Sequence, residues 1–226
     1  MIIDPQTSFW YDAAPQWFVA FGTLVLAFVA VFQEWLRRLV SRPRLQLSAV
    51  VSPPDCHKTK LSMGADVYYF RLRVENTGNA AARDVQVYLA SVERQRADRQ
   101  YEAVDRFVPM NLMWAIIRQT TLPILLPDMP PRYCDFAHIT DPQQRRSVAE
   151  TLPGIGDNSA ILVLELEVNP NNKGYLLEPG EYRMGLKLAA ENHPVRDYAL
   201  EVNFRGTWFN NENEMLREGF GMRILG

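Results

Sequence analysis

The sequence predicts a mainly β protein: a two-layer antiparallel sandwich preceded by one N-terminal transmembrane α-helix. Three observations lead there. The 21 residues from Ala13 to Gln33 carry no charge. After Pro43 the dominant apolar period is two, the strand period, in seven to nine segments. Those segments are joined by Asn-, Gly- and Pro-rich turns, with no repeating strand–helix alternation.

The first element is the helix. As a helix, 21 uncharged residues span about 30 Å, the thickness of a bilayer's hydrocarbon core. The run is apolar on every side, which excludes an exposed helix of a soluble protein. Trp17, Phe18, Phe21, Leu24, Leu26, Phe28, Phe32 and Trp35 supply its bulk, and the aromatics Trp10, Tyr11, Trp17 and Trp35 flank it as interfacial belts do. The alternatives are a buried core helix and, less favoured still, a cleaved signal peptide, since there is no basic leader and no small-residue cleavage site. Arg37, Arg38, Arg42 and Arg44 follow the run and no Lys or Arg precedes it. The positive-inside rule then puts the N-terminus outside and the larger domain in the cytoplasm, at the inner membrane. The same arginines are candidates for headgroup contact. The expected organisation is an extracytoplasmic tail over 1–12, a membrane helix over 13–36, a basic linker over 37–43 and a cytoplasmic domain over 44–226.

The strands follow in order. Residues 44–52 alternate and stop at Pro53-Pro54, and 55–65 reads as a polar loop. In 67–75, Tyr68, Phe70, Leu72 and Val74 face one way and Arg71, Arg73 and Glu75 the other. After the turn at 76–79, residues 84–92 put Val85, Val87 and Leu89 inward. The charged stretch 93–106 reads as a solvated connection or the outer part of a hairpin. Residues 107–131 hold two apolar runs too short to span a membrane and interrupted by prolines, which fits short edge strands on the core. Its apolar residues Met110, Leu112, Met113, Trp114, Ile116 and Ile117 are also candidates for an interaction surface that binds a partner or dips into the bilayer. Residues 133–139 form the next strand and 141–152 a helical turn. In 160–168, Leu162, Leu164, Leu166 and Val168 share one face. Residues 181–189 and 197–205 make two further strands, 210–218 a short helix and 220–225 a last strand. Trp208 and Phe209, with Met215 and Leu216, are expected to cover one end of the sandwich.

Two stretches carry a resemblance. In Phe70-Arg-Leu-Arg-Val-Glu-Asn-Thr-Gly-Asn-Ala-Ala-Ala-Arg-Asp-Val-Gln-Val87 a strand, an Asn-x-Gly turn, a small residue and a Val-x-Val strand follow one another. Leu177-Glu-Pro-Gly-Glu-Tyr-Arg-Met-Gly-Leu-Lys-Leu188 has a Pro-Gly-x-Tyr turn and strand. Together these 30 residues resemble bacterial immunoglobulin-like sandwich modules. The resemblance implies an immunoglobulin-like sandwich and, by analogy, recognition or adhesion. The disulfide and tryptophan of antibody-type domains have no counterpart.

Composition limits the chemistry. All 24 Lys and Arg lie at or after Arg37, which leaves that part of the chain with 24 basic and 23 acidic side chains. Such balance gives no pull toward nucleic acid. Two cysteines are too few for a disulfide framework, and in the cytoplasm both should be reduced. No nucleotide-binding glycine loop, Gly-x-Ser-x-Gly, His-Glu-x-x-His or Cys-x-x-Cys is present. The one metal-like set is Cys56, His57, Cys134 and His138, two thiols and two imidazoles of the kind that hold structural zinc. Adjacent strand residues point to opposite faces, which weighs against Cys56 and His57 converging, so neither zinc nor any other cofactor is favoured. A Cys–His nucleophile pair lacks a third residue and a cavity. Asp135 and Asp141 lie near His138 in sequence and look catalytic only by proximity. Glu165 and Glu167 are expected on a solvated strand face.

The expected function is therefore a membrane-anchored, non-catalytic binding or assembly module, with the bilayer and a protein or a second copy as partners. The rivals are a zinc-stabilised or metal-dependent hydrolase domain and a membrane-perturbing stress or defence effector.

Overall fold

The computed structural model describes residues 14–145 and 150–225. The tail over 1–12 with Trp10 and Tyr11, and residues 146–149 of the predicted helical turn, lie outside the described residues. The chain divides after Arg42 into two compact units.

The first unit is one helix, α1 (Ala14–Val40). Pro15 sits in its first turn, where a missing N–H costs nothing, and Pro43 lies just beyond its end. Thr23 donates its hydroxyl to the Val19 carbonyl at 2.8 Å, so the apolar stretch carries no unsatisfied hydroxyl. Phe28 and Phe32 pair one turn apart, with centroids 4.4 Å from each other. The stretch Pro15–Gln33 buries none of its surface in the protein, and it is the one helix among the described residues long and apolar enough to cross a membrane. All eight bulky residues singled out in the sequence, from Trp17 to Trp35, are exposed. The helix continues through residues 37–40, which the sequence reading assigns to the linker. The side chains of Arg37 and Arg38 lie outside the described ones.

The second unit is built from two antiparallel sheets. The first has the order β1 (Leu45–Ala49), β3 (Asp66–Asn76), β9 (Arg132–Thr140), β10 (Leu162–Leu164) and β11 (Leu176–Leu177). In it β2 (Cys56–Lys60) also pairs with β3, and β7 (Met113–Trp114) with β9. The second runs β14 (Phe220–Leu225), β13 (His193–Phe204), β12 (Gly180–Ala190), β4 (Ala82–Gln95) and β5 (Tyr101–Ala103). Here β6 (Met110–Asn111) and β8 (Thr121–Leu125) also pair with β4. The inward rows of both sheets share one core: Tyr68, Phe70, Leu72 and Val74 of β3 meet Val85, Val87 and Leu89 of β4 and the apolar rows of β12 to β14. Phe70 and Phe220 stack across it, with centroids 3.7 Å apart.

The segment 107–131 stitches the sheets together. It pairs with β4 through β6, crosses to β9 through β7, and returns to β4 through β8. Leu112 and Trp114 sit at the crossing and are buried in the core, and Trp114 Nε1 donates to the Val85 carbonyl at 3.1 Å. These two are therefore core residues and not part of an interaction surface. Ile116 and Ile117 are exposed, and Met110 and Met113 are half-buried.

Three further expectations are corrected. Residues 56–60 are a strand and not loop: β2 lies on the edge of β3, where one buried side chain, Cys56, suffices and the rest stays polar. Val168 points to solvent, because the strand ends before it. The run 161–166 is buried on both faces, because Leu152, Ile161, Val163 and Leu176 form a second small apolar cluster outside the first sheet. Trp208 and Phe209 do pack on the core: Tyr68 and Trp208 rings lie 4.9 Å apart, and the Tyr68 hydroxyl donates to the Phe209 carbonyl. Met215 is fully buried, in a turn after α2 (Glu212–Glu214), which Asn211 caps.

Candidate functional site

A buried polar cluster forms on the outer face of the first sheet, around His138. In β9, Asp135 and His138 are three apart, so on a regular strand they would face opposite ways. A bulge at Phe136 prevents this: β3 pairs Phe70 with Ala137 but Arg71 with Asp135, so one residue of β9 is extra. Asp135 and His138 therefore share the outer face, while Cys134 and Ala137 share the core face.

His138 lies between two carboxylates. Its Nδ1 meets Glu165 Oε1 at 2.6 Å and its Nε2 meets Glu150 Oε1 at 2.9 Å. All three are buried. Arg118 Nη1 approaches Glu165 Oε2 at 3.5 Å and Asp135 Oδ2 at 3.8 Å, and Arg71 Nε donates to Asp135 Oδ1 at 2.8 Å. Tyr69, opposite His138 on β3, tilts its ring against the imidazole with centroids 5.4 Å apart. Three cationic groups thus face three carboxyls.

Burial opposes a charged imidazole here, but the hydrogen bonds to Glu150 and Glu165 and their charges outweigh it and raise the His138 pKa to about 9. For Glu165, burial pushes upward and the His138 bond and charge pull further down, so its carboxyl lies below the usual range. Asp135 is raised by burial despite its bond to Arg71. Burial, then the charges of Glu165 and Asp135, push Tyr69 to about 12. At neutral pH both ring nitrogens of His138 carry protons directed at carboxylates. In that state the imidazole is a double donor held between the two carboxylates. The arrangement works as a brace: it joins β3, β9, the residue after β10, the connection at Glu150 and the hairpin tip that carries Arg118.

That tip has unusual backbone. Ile116 and Arg118 sit at φ +74° and +52°, in the left-handed region disfavoured for a β-branched side chain. Ile116 is nevertheless 92% exposed.

The sequence-derived metal set does not come together. Cys56 pairs with Phe70 and Cys134 with Leu72 on the core face, whereas His57 and His138 flank Tyr69 on the outer face. Both cysteines are free, and burial raises the Cys56 thiol to about 12 and Cys134 well above its ordinary value. Among the described residues no group of three or more His, Cys, Asp and Glu is arranged to hold a metal ion. Glu165 is buried, contrary to the expected solvated face, because the second apolar cluster covers that side; Glu167 is exposed as expected. Asp141 accepts from the Gln143 amide and starts a turn.

Sequence reasoning missed the His138, Glu150 and Glu165 triad. The available signal was Glu165 itself, a charge inside the otherwise apolar run 161–166, which demands a buried partner.

A second feature is a concavity of about 420 Å³ on the outer face of the second sheet, lined in part by Tyr101, Glu201, Asn203, Gly221 and Arg223. Two of its charges pair, Glu201 with Arg223 at 2.6 Å, and Arg183 beside it lies 3.6 Å from Glu201 and over the Tyr101 ring.

Compared with family models, curated proteins and solved structures, the chain matches none of them.

Proposed function

We propose that this chain is a single-pass membrane protein whose second unit, an immunoglobulin-like β-sandwich, is a non-catalytic binding or assembly module on the cytoplasmic face. One observation carries the membrane part. The helix Ala14–Val40 exposes Trp, Phe, Leu and Val all round its apolar stretch and buries none of it in the protein. Apolar surface of that extent is stable only in lipid or against another apolar partner. The arginines after the apolar stretch favour the N-out orientation.

The binding part rests on how the polar chemistry is spent. The buried cluster of His138, Glu150 and Glu165 has both imidazole nitrogens engaged, and it steadies a hairpin that presents Ile116 and Ile117 to solvent. A strained, exposed apolar tip held by buried charge suits contact better than turnover. The partners are the bilayer and a protein or a second copy of the chain.

The membrane part is tested by extraction of native membranes with alkaline carbonate. The chain should stay with the bilayer, and replacing Leu24 and Leu26 with Lys should release it; release of the unaltered chain would end the proposal. The binding part is tested by chemical cross-linking in those membranes. A defined cross-linked species should form at native protein density, and its absence at every density tried would end the binding reading.

A further inference from the structure

The second unit has two ends along its strand direction, and strand register fixes which loops share each. The chain arrives at Leu45, which pairs with Asn76 at the C-terminal end of β3. Arg44 bonds Asn76 and Thr77 there, and Asn76 Nδ2 also donates to the Leu125 carbonyl at the close of β8. The tip between β7 and β8 belongs to the same end. Trp114 pairs with Cys134, which pairs with Leu72, and the Ala115 amide donates to the Tyr133 carbonyl. The chain beyond Ala115 therefore runs toward the level of Arg132, Val74 and Leu47. The loop 126–131 precedes Arg132 and lies there too.

This proximal end gathers apolar side chains that the protein leaves uncovered. Ile116, Ile117, Ile124, Leu126 and Met129 are all exposed. Arg44, Arg83 and Arg132 are exposed at the same end, with Glu75, Asp84, Asp128 and Glu191 among the acidic residues there. The opposite end of the first sheet, the turn between β2 and β3, has one exposed large apolar residue, Met63.

Four residues separate Val40 from Leu45, a reach of roughly 14 Å when fully extended. If α1 spans a bilayer, as proposed above, the proximal end stays within reach of that bilayer's surface. Exposed isoleucine, leucine and methionine beside arginines that can raise their guanidinium groups to phosphates suit the headgroup boundary.

We infer that the proximal end of the β unit, led by the Ile116–Ile117 tip, docks into the lipid headgroup region of the membrane that holds α1. It gives the unit a second lipid contact, and the inference rests on the membrane reading of α1.

The test uses the full-length chain in vesicles of mixed zwitterionic and anionic phospholipid whose acyl chains are brominated. The native cysteines are buried, so single variants Ile116→Cys, Leu26→Cys and Met63→Cys can each be labelled with a bromine-quenched fluorophore. The expected result is loss of emission at positions 26 and 116 and unchanged emission at 63. Quenching at 26 without quenching at 116 overturns the docking and leaves the anchor standing. No quenching at 26 removes the anchor and the docking with it. Equal quenching at 63 and 116 overturns the docking, since the contact would not belong to one end. An unquenched but blue-shifted label at 116, growing with protein density, assigns the tip to a second copy and overturns the lipid contact.

Discussion

His138 carries the clearest consequence at the scale of single residues. Its pKa is about 9 in the folded chain, against an ordinary value of 6.5. A raised folded value adds stability that is complete below the unfolded pKa and disappears as pH climbs through the folded one. The contribution should therefore be full below about pH 6.5 and gone above about pH 9, and worth on the order of 3 kcal/mol at its fullest. Glu165 has the opposite sign, because its pKa is lowered: its share is present above the ordinary 4.5 and is lost on acidification. Denaturant unfolding across that alkaline window should show falling stability in the native chain and a flatter profile in His138→Gln. Equal slopes would mean the imidazole is not held charged. Ile116 makes a second case. Asn tolerates the left-handed region and Ile does not, so Ile116→Asn should stabilise the fold by about 1 kcal/mol while weakening whatever the tip touches. A melting temperature that does not rise would show the tip to be unstrained.

Among the elements, β3 and β4 were legible because each buries one face, which keeps the alternation clean in Tyr68, Phe70, Leu72 and Val74 and again in Val85, Val87 and Leu89. β2 was hidden because an edge strand with only Cys56 buried has almost no apolar signal. The run 161–166 departs from a one-sided strand because a second apolar cluster lies on its far side, and nothing local announces that cover. The charge cluster was hidden for two reasons. A bulge at Phe136 turns an odd spacing into a shared face, and Glu150 and Glu165 lie 12 and 27 residues from His138. The β6–β7–β8 crossing was visible only as a proline-broken apolar stretch. Its energetic centre is Trp114, which fills the space between sheets and bonds Val85. Trp114→Ala should cost about 3–5 kcal/mol, the range for emptying a large core site, and Trp114→Phe much less. Chemical denaturation measures both, and a small loss for the alanine variant would mean the sheets do not depend on the crossing.

On the scale of the whole molecule, the two units make opposite demands on solvent. Every bulky residue singled out on α1 is exposed, whereas the inward rows of both sheets beyond Pro43 are covered by each other and by 107–131. The core of the second unit is built from Leu45 onward, with no member from α1. A chain of residues 43–226 should therefore remain in solution without detergent and unfold in one cooperative transition, since nothing it buries is lost with the helix. The full-length chain should need detergent or lipid to stay dispersed, because its apolar stretch has no cover of its own. Sedimentation of the two forms in detergent-free buffer separates these demands, and circular dichroism follows the transition of the shorter one. Aggregation of residues 43–226 would mean that α1 covers part of the β unit in the native protein, and the helix would then have to be read as a core element in place of an anchor. A soluble, cooperative β unit beside an insoluble full-length chain would leave lipid as the one environment that satisfies both parts.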